Sequence, residues 1–331
     1  MGIRIAVLGA GGMGRKHTLR LKELGAQVVA VCDKSPEGIR AYKETVGDAE
    51  IHEYVEFDKM LQEENFEALY ICLPPFAHEG QFEKAAEAKK HIFIEKPIAL
   101  NTRTGKRMAE AADRAGIITC VGFHMRQSEP VKQLKKMIEN NEAGNIVLFQ
   151  GQYSCNSLHS PWWRRVELCG GQIFEQAIHL YDMSRYLLGE PEYVAGIMAN
   201  ICHKHIPDYT VEDVSASFAC MKNGAVSSIT ANNCEVPGKW IGKFKVVCEN
   251  VTAEFSDFDR AVFTYNKNGE TVTKEIDDTG IDALLLEDKM FLESIAAGHD
   301  TKCNITEGYK SLCYVENVVK SAENKGGKII C

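Results

Sequence analysis

Ile3-Arg4-Ile5-Ala6-Val7-Leu8-Gly9-Ala10-Gly11-Gly12-Met13-Gly14 is the stretch whose reading decides the fold. Residues 3 to 8 are a near-continuous apolar run. Three glycines follow at the spacing G-x-G-x-x-G, and from Arg15 to Leu24 the apolar positions fall at helical rather than alternating intervals. Strand, tight turn and helix is the pattern that binds a dinucleotide. The first glycine makes the turn, the second lets backbone approach a pyrophosphate, the third lets helix pack on strand, and the helix N-terminus faces the phosphates. Gly9, Ala10, Gly11, Gly12, Met13 and Gly14 are therefore candidate cofactor contacts. Gln27 to Cys32 reads as the next buried strand, and Asp33 ends it nineteen positions after Gly14. A carboxylate there accepts hydrogen bonds from ribose hydroxyls and repels a 2′-phosphate, so NAD is expected; the ammonium of Lys34 beside it leaves NADP possible.

Outward from this unit the alternation continues. Ser35-Pro36 starts a helix, strands are expected at 68–73, 91–94 and 118–122, and helices near 77–89 and 102–115. Such alternation builds a parallel sheet covered on both faces, an α/β Rossmann domain over residues 1–122. After that the pattern changes. A helix at 130–141, a strand at 146–155 and a helix at 175–188 lead to strand-like runs at 193–201, 215–221, 225–232, 243–248, 253–256 and 261–265. Asn/Gly turns at 222–224 and 266–269 mark hairpins, so residues 123–331 are expected to form an α+β domain with an open, mostly antiparallel sheet.

Composition narrows the function classes. The 331 residues are 45% hydrophobic, enough for two cores, and the net charge of −8 without a basic cluster gives nucleic acid or an anionic membrane little attraction. No apolar run is long enough to span a bilayer, and the N-terminus runs into the glycine loop without a cleavage site. Of the twelve cysteines, Cys32, Cys72, Cys120, Cys220 and Cys248 lie in apolar strand-like runs, as small buried hydrophobes do, so a cytoplasmic protein is expected. Cys202-His203-Lys204-His205 offers metal ligands but has no Cys-x-x-Cys partner, and no metal is assigned.

Chemistry is expected at the carboxyl ends of the parallel strands, near the point where strand order reverses. Leu73-Pro74-Pro75 with His78, and Glu95-Lys96-Pro97, fall there and are candidate cofactor contacts, with a cis Lys96-Pro97 bond expected at the abrupt turn. Glu175 and His179, spaced i, i+4, would share one helix face, so that Glu175 accepts a hydrogen bond from one imidazole nitrogen and the other nitrogen takes a substrate proton. The combination resembles the Gfo/Idh/MocA oxidoreductases. The resemblance runs through the glycine loop, Pro74 to His78, Glu95-Lys96-Pro97, Gly122 to Arg126, Gly170-Gly171, Glu175-x-x-x-His179-x-x-Asp182 and Glu212-Asp213. Many members of that family have Asp where this chain has Glu175.

The family implies that Lys96 and His179 share the proton work while hydride passes between a nicotinamide and an alcohol carbon of a sugar, cyclitol or sugar derivative. Lys96 would also stabilise alkoxide charge. His124, Arg126, Trp162, Trp163, Arg164 and Asp182 are candidate substrate contacts, and the strand-rich face of residues 193 to 265 is the expected interface of a homodimer or homotetramer. Three other readings remain on this fold. They are a redox-neutral enzyme that retains NAD, a non-catalytic ligand sensor, and a reductase of flat substrates.

Overall fold

The computed structural model describes residues 2–267 and 270–331. Asn268 and Gly269 of the expected hairpin turn lie outside the described residues. Two compact units make up the chain: Met1–His124 with Asp282–Tyr309, and Met125–Ile281 with Lys310–Cys331.

In the first unit the elements run β1 (Arg4–Leu8), α1 (Gly12–Glu23), β2 (Gln27–Cys32), α2 (Pro36–Val46), β3 (His52–Tyr54), α3 (Phe57–Glu63), β4 (Ala68–Ile71), α4 (Gln81–Glu87), β5 (His91–Ile94), α5 (Thr102–Ala115) and β6 (Thr119–Val121). The strands pair in parallel in the order β3-β2-β1-β4-β5-β6. Strand order reverses between β1 and β4, so the loops leaving those strands face the ligand crevice of such a sheet. β1 and β4 are buried along almost their whole length, which is why they read as apolar runs. β3 escaped the sequence reading because its three residues are polar or half-exposed at the sheet edge.

The second unit opens with α6 (Glu129–Glu139), β7 (Ile146–Ser154), α7 (Val166–Cys169) and α8 (Ile178–Leu188). There follow β8 (Pro191–Ala199), β9 (Val214–Met221), β10 (Val226–Asn232), β11 (Ile241–Cys248), β12 (Val251–Asp257), β13 (Arg260–Lys267) and β14 (Glu270–Asp277). With β15 (Ile329–Ile330) they form a nine-stranded sheet in the order β14-β13-β12-β11-β7-β10-β9-β8-β15. Among the described residues of this sheet only β7 and β10 pair in parallel. The sheet is open and mostly antiparallel, as expected. On its inner face Phe149, Phe244 and Phe255 stack at centroid separations of 5.5 and 4.0 Å, and each buried ring is worth roughly 1.5–3 kcal/mol. Gly151 leaves room for α8, since a Cβ there would stand 3.1 Å from Leu180 Cδ1. The other face carries Gln150, Gln152, Ser228, Thr230, Lys243, Lys245 and Glu254 together with exposed Ile197, Phe218, Val226 and Val262.

One boundary differs from the sequence reading. Residues 282–309, read as part of the second domain at 123–331, pack in the first unit. They contain α9 (Ala283–Ala297) and the start of α10 (Ile305–Glu323). Arg20 Nε on α1 donates to Asp282 Oδ2 at 2.7 Å, and His17 meets Asp288 at 2.8 Å, so α9 covers α1. Further on, Asp300 Oδ1 accepts the Thr119 N–H at 2.8 Å and the Cys303 carbonyl accepts the Val121 N–H at 2.8 Å, extending β6.

Candidate active site

The glycine loop is built as its spacing implies. Gly9 has φ +106°, and a Cβ on it would lie 2.6 Å from the Cys72 carbonyl oxygen; a Cβ on Gly14 would lie 2.0 Å from the Gly9 oxygen. These two positions are closed to other residues by backbone. A Cβ on Gly11 or Gly12 would meet nothing within 4 Å. The space before the N-terminus of α1 is therefore open, and a diphosphate fits there. Asp33 is held at the end of β2 by two backbone donors, Ala10 N–H to Oδ2 at 2.8 Å and Ser35 N–H to Oδ1 at 2.9 Å. Its remaining lone pairs suit ribose hydroxyls. Lys34 Nζ instead meets Glu79 Oε2 at 3.0 Å on the surface, which directs its charge to a carboxylate of this chain.

The second loop follows β4. His78 donates from Nδ1 to the Ile98 carbonyl at 2.7 Å, and burial lowers its pKa, so the neutral ring ties this loop to the segment after Pro97. The Lys96-Pro97 bond is cis. Glu95 is buried beside Lys96, with Oε2 accepting the Lys96 N–H at 3.2 Å and Oε1 3.0 Å from His17 Nε2. His124 stands near both; burial, against Glu95 and with Lys96, lowers its pKa to about 4 and keeps the imidazole neutral.

In the second unit Gly170 and Gly171, at φ +83° and +101°, turn the chain from α7 into the helix that carries Glu175 and His179. A Cβ on Gly171 would stand 2.4 Å from Glu212 Oε2. Glu212 Oε1 accepts the Ile173 N–H at 2.8 Å, and burial, against backbone donors, pushes this carboxyl up to about 7. Its partner Asp213 receives the N–H groups of Ile201, Cys202 and His203. These anchoring roles were not read from the sequence, where the only signal was the adjacent acidic pair before a strand. Asp213 also lies within 4.8 Å of Cys202 and Cys234, but those donors already occupy both of its oxygens.

Two expectations about this helix change. The helix does not begin as an α-helix at Glu175, because Ile173–Ala177 form a π-helical turn ahead of α8. That wider turn lies between the loop at Gly170-Gly171 and α8, so Glu175 sits in the π-helical turn and His179 in α8. Glu175 Oε2 accepts the Trp163 indole N–H at 2.7 Å, while His179 is buried one turn on. Asp182 and Arg126, expected as substrate contacts, turn their charges on each other. Arg126 donates from Nε to Oδ2 at 2.7 Å and from Nη2 to Oδ1 at 2.6 Å, over the Tyr186 ring, and Ser311 Oγ adds a bond to Oδ1 at 2.7 Å.

The aromatic segment is also structural in part. Trp163 belongs to a cluster with Cys169, Tyr209 and Val211, against which Trp162 packs. Arg164 donates to the carbonyls of Leu158 at 2.8 Å and His159 at 3.2 Å, pinning its own loop.

Comparison with known proteins identifies the fold and the family. Residues 3–123 match the oxidoreductase family with an NAD-binding Rossmann fold, and residues 131–254 match the GFO/IDH/MocA C-terminal domain. Among curated relatives, a myo-inositol 2-dehydrogenase of Thermotoga maritima is 30% identical over 189 residues, 57% of this chain and 55% of that protein. A glucose-6-phosphate 3-dehydrogenase of Bacillus subtilis is 27% identical over 246 residues, 71% of this chain and 69% of that protein. The match to the first therefore spans about half of its length. A levoglucosan dehydrogenase solved with NADH and levoglucosan superposes with a TM-score of 0.90 at 21% identity, covering 100% of this chain and 99% of that one. Among the described residues no helix is long and apolar enough to cross a membrane. A glycine loop closed by backbone at two positions and open at two others, and family matches over both residues 3–123 and residues 131–254, place this chain in the Gfo/Idh/MocA family of NAD-binding oxidoreductases.

Proposed function

We propose that the protein is an NAD(H)-dependent dehydrogenase of a secondary alcohol on a sugar, cyclitol or sugar derivative. The observation that carries this reading is Lys96, set at the carboxyl end of β5 in the same sheet whose β1 end bears the glycine loop, with the Glu95 carboxylate fixed next to it. The relatives act on inositol and glucose 6-phosphate by their names, which supports a polyhydroxylated substrate. Gly9 to Gly14 and Asp33 hold the cofactor, with Leu73, Pro74, Pro75 and Pro97 framing the nicotinamide side. When bound, NAD supplies the hydride acceptor.

The chain's own groups handle the proton. His179 takes it from the alcohol, and Lys96 stabilises the alkoxide as charge develops. Glu175 orients this region through Trp163. His124, neutral across the physiological range, is suited to donate or accept at a hydroxyl. The open sheet face, with Ile197, Phe218, Val226 and Val262 among polar residues, is a candidate surface for self-association into a dimer or tetramer.

The test is a screen of sugars and cyclitols with NAD and NADP, read at the nicotinamide absorbance, followed by Lys96→Ala and His179→Ala on the substrate found. Turnover is expected to fall by about 10² to 10⁴ in each, with NAD affinity kept. Near wild-type turnover in both variants would overturn the assignment.

A further inference from the structure

Behind Lys96 the first unit buries a cluster of charge that neither the phosphate site nor the hydride step requires. His17, on α1 three residues after the last loop glycine, has no exposed surface. Its Nδ1 lies 2.8 and 3.0 Å from the two oxygens of Asp288, and its Nε2 lies 3.0 Å from Glu95 Oε1. A neutral imidazole has one N–H and would turn a lone pair toward one of those carboxylates; only the imidazolium donates to both. Tyr70 and Phe93 flank the ring at centroid distances of 5.5 and 4.8 Å, which keeps water from replacing either partner.

Glu95 is held as tightly from the other side. Gly122 makes the room for it, since a Cβ there would stand 2.9 Å from Oε2, the oxygen that also accepts the Lys96 N–H. The charged and titratable groups around His17 are Glu95 and Lys96 after β5, Asp288 and Glu287 on α9, Tyr70 on β4, Cys120 on β6, Arg20 on α1 and His124 after β6. Glu287 is buried, neither of its carboxyl oxygens has a hydrogen-bond partner, and burial with Glu95 nearby drives its pKa well up, which favours its neutral form. Against the desolvation that lowers it, the two carboxylates raise His17 to about 10. The ring is thus a standing cation one carboxylate away from the lysine.

We propose that His17 is a positioning residue for Lys96: bridging Asp288 and Glu95, it locks the Glu95 carboxylate in place and offsets its charge, so that the lysine's proton is not held too firmly to be exchanged during the reaction. The proposal rests on the reading of Lys96 as a proton-handling group, and it concerns the state of the amine rather than turnover. Without the imidazolium, an ionised Glu95 favours the ammonium of Lys96 more strongly, and the lysine gives up its proton at higher pH.

The experiment reads the amine directly. The full chain and its His17→Gln variant are labelled with trace acetic anhydride from about pH 6 to pH 11, and acetylation of Lys96 is followed by mass spectrometry of its peptide. The half-exposed Lys96 is expected to label with a midpoint about one pH unit higher in the variant, about tenfold less at pH 8. An unchanged midpoint in a folded variant overturns the proposal. Loss of the functional reading alone shows differently, as unchanged turnover in Lys96→Ala. The wild-type chain provides a second readout that needs no variant. With ¹⁵N-labelled histidine, the ring of His17 is expected to keep both nitrogens protonated at about pH 8.5. A neutral His17 ring at that pH would also overturn it.

Discussion

In the first unit a buried histidine stands between two carboxylates, Asp288 and Glu95; in the second a buried arginine grips one, Asp182. Both clusters take charge out of water, and both satisfy it with short hydrogen bonds from several elements. The cations differ in kind. A guanidinium stays charged at any pH the fold survives, so the Arg126 pair, braced by Ser311 and Tyr186, is a fixed joint. An imidazolium exists here only because its two partners hold the proton on it, so its charge can be removed by changing a neighbour. The permanent cation lies in the unit that carries His179, and the conditional one lies beside Lys96. A joint for a helix needs constancy, whereas a group near a proton-handling amine needs a charge set by its surroundings.

The largest expected effect tests the fixed joint. Asp182→Ala leaves Arg126 buried without its carboxylate and should cost about 3–5 kcal/mol in denaturant unfolding, while the double variant Arg126→Met with Asp182→Leu should recover much of that loss. Recovery would show that the pair serves geometry more than net stability. Equal losses in both would argue that the charges themselves are needed.

Next comes the conditional cluster. His17 has a folded-state pKa raised above its unfolded value of 6.5 to about 10, so its stabilisation is fully present below pH 6.5 and is lost as pH rises through 10. His17→Gln should therefore destabilise most at about pH 6, with the gap to wild type narrowing toward pH 10, whereas the loss in Asp182→Ala should stay level over that range. Urea unfolding at several pH values separates the two patterns.

Glu287 gives an effect of opposite sign, with the wild type again losing ground to the variant as pH rises. Its carboxyl pKa is raised by burial and by Glu95, so its ionisation in the unfolded chain favours unfolding once pH exceeds about 4.5. Glu287→Gln should gain stability over wild type by up to about 1.4 kcal/mol per pH unit above that point, until the folded group itself ionises. A pH-independent difference would mean that Glu287 is ionised in the fold. The smallest effect is expected at the surface pair of Lys34 and Glu79. Lys34→Ala should change stability by about 0–1 kcal/mol and leave NAD preferred over NADP, because Asp33 is fixed by backbone and not by Lys34. Steady-state kinetics with both cofactors would check it.

The legible parts of the molecule were those whose cause is local. Buried parallel strands must be apolar on both faces, so β1, β2, β4 and β5 announce themselves. β14 did not, because as an edge strand it is exposed at nearly every position and has no burial pattern to read. The spacing of Glu175 and His179 was visible, but the π-helical turn that carries Glu175 was not, and the Glu212 carboxylate that accepts the Ile173 N–H at its start lies 39 residues away.

Sequence alone determined the dinucleotide fold, the class of the second sheet and the identity of Lys96 as the residue after a strand end. Glycine spacing, apolar periodicity and the acidic residue after β2 are constraints between near neighbours, and near neighbours are what a chain displays. Tertiary structure alone decided that residues 282–309 return to the first unit, that His17 is held between Glu95 and an Asp288 lying 271 residues away, and that Arg126 and Asp182 spend their charges on each other. Those are choices of partner among buried charges. Desolvation forces each such charge to find a partner, but which one it finds depends on how the elements pack, and no local pattern records that.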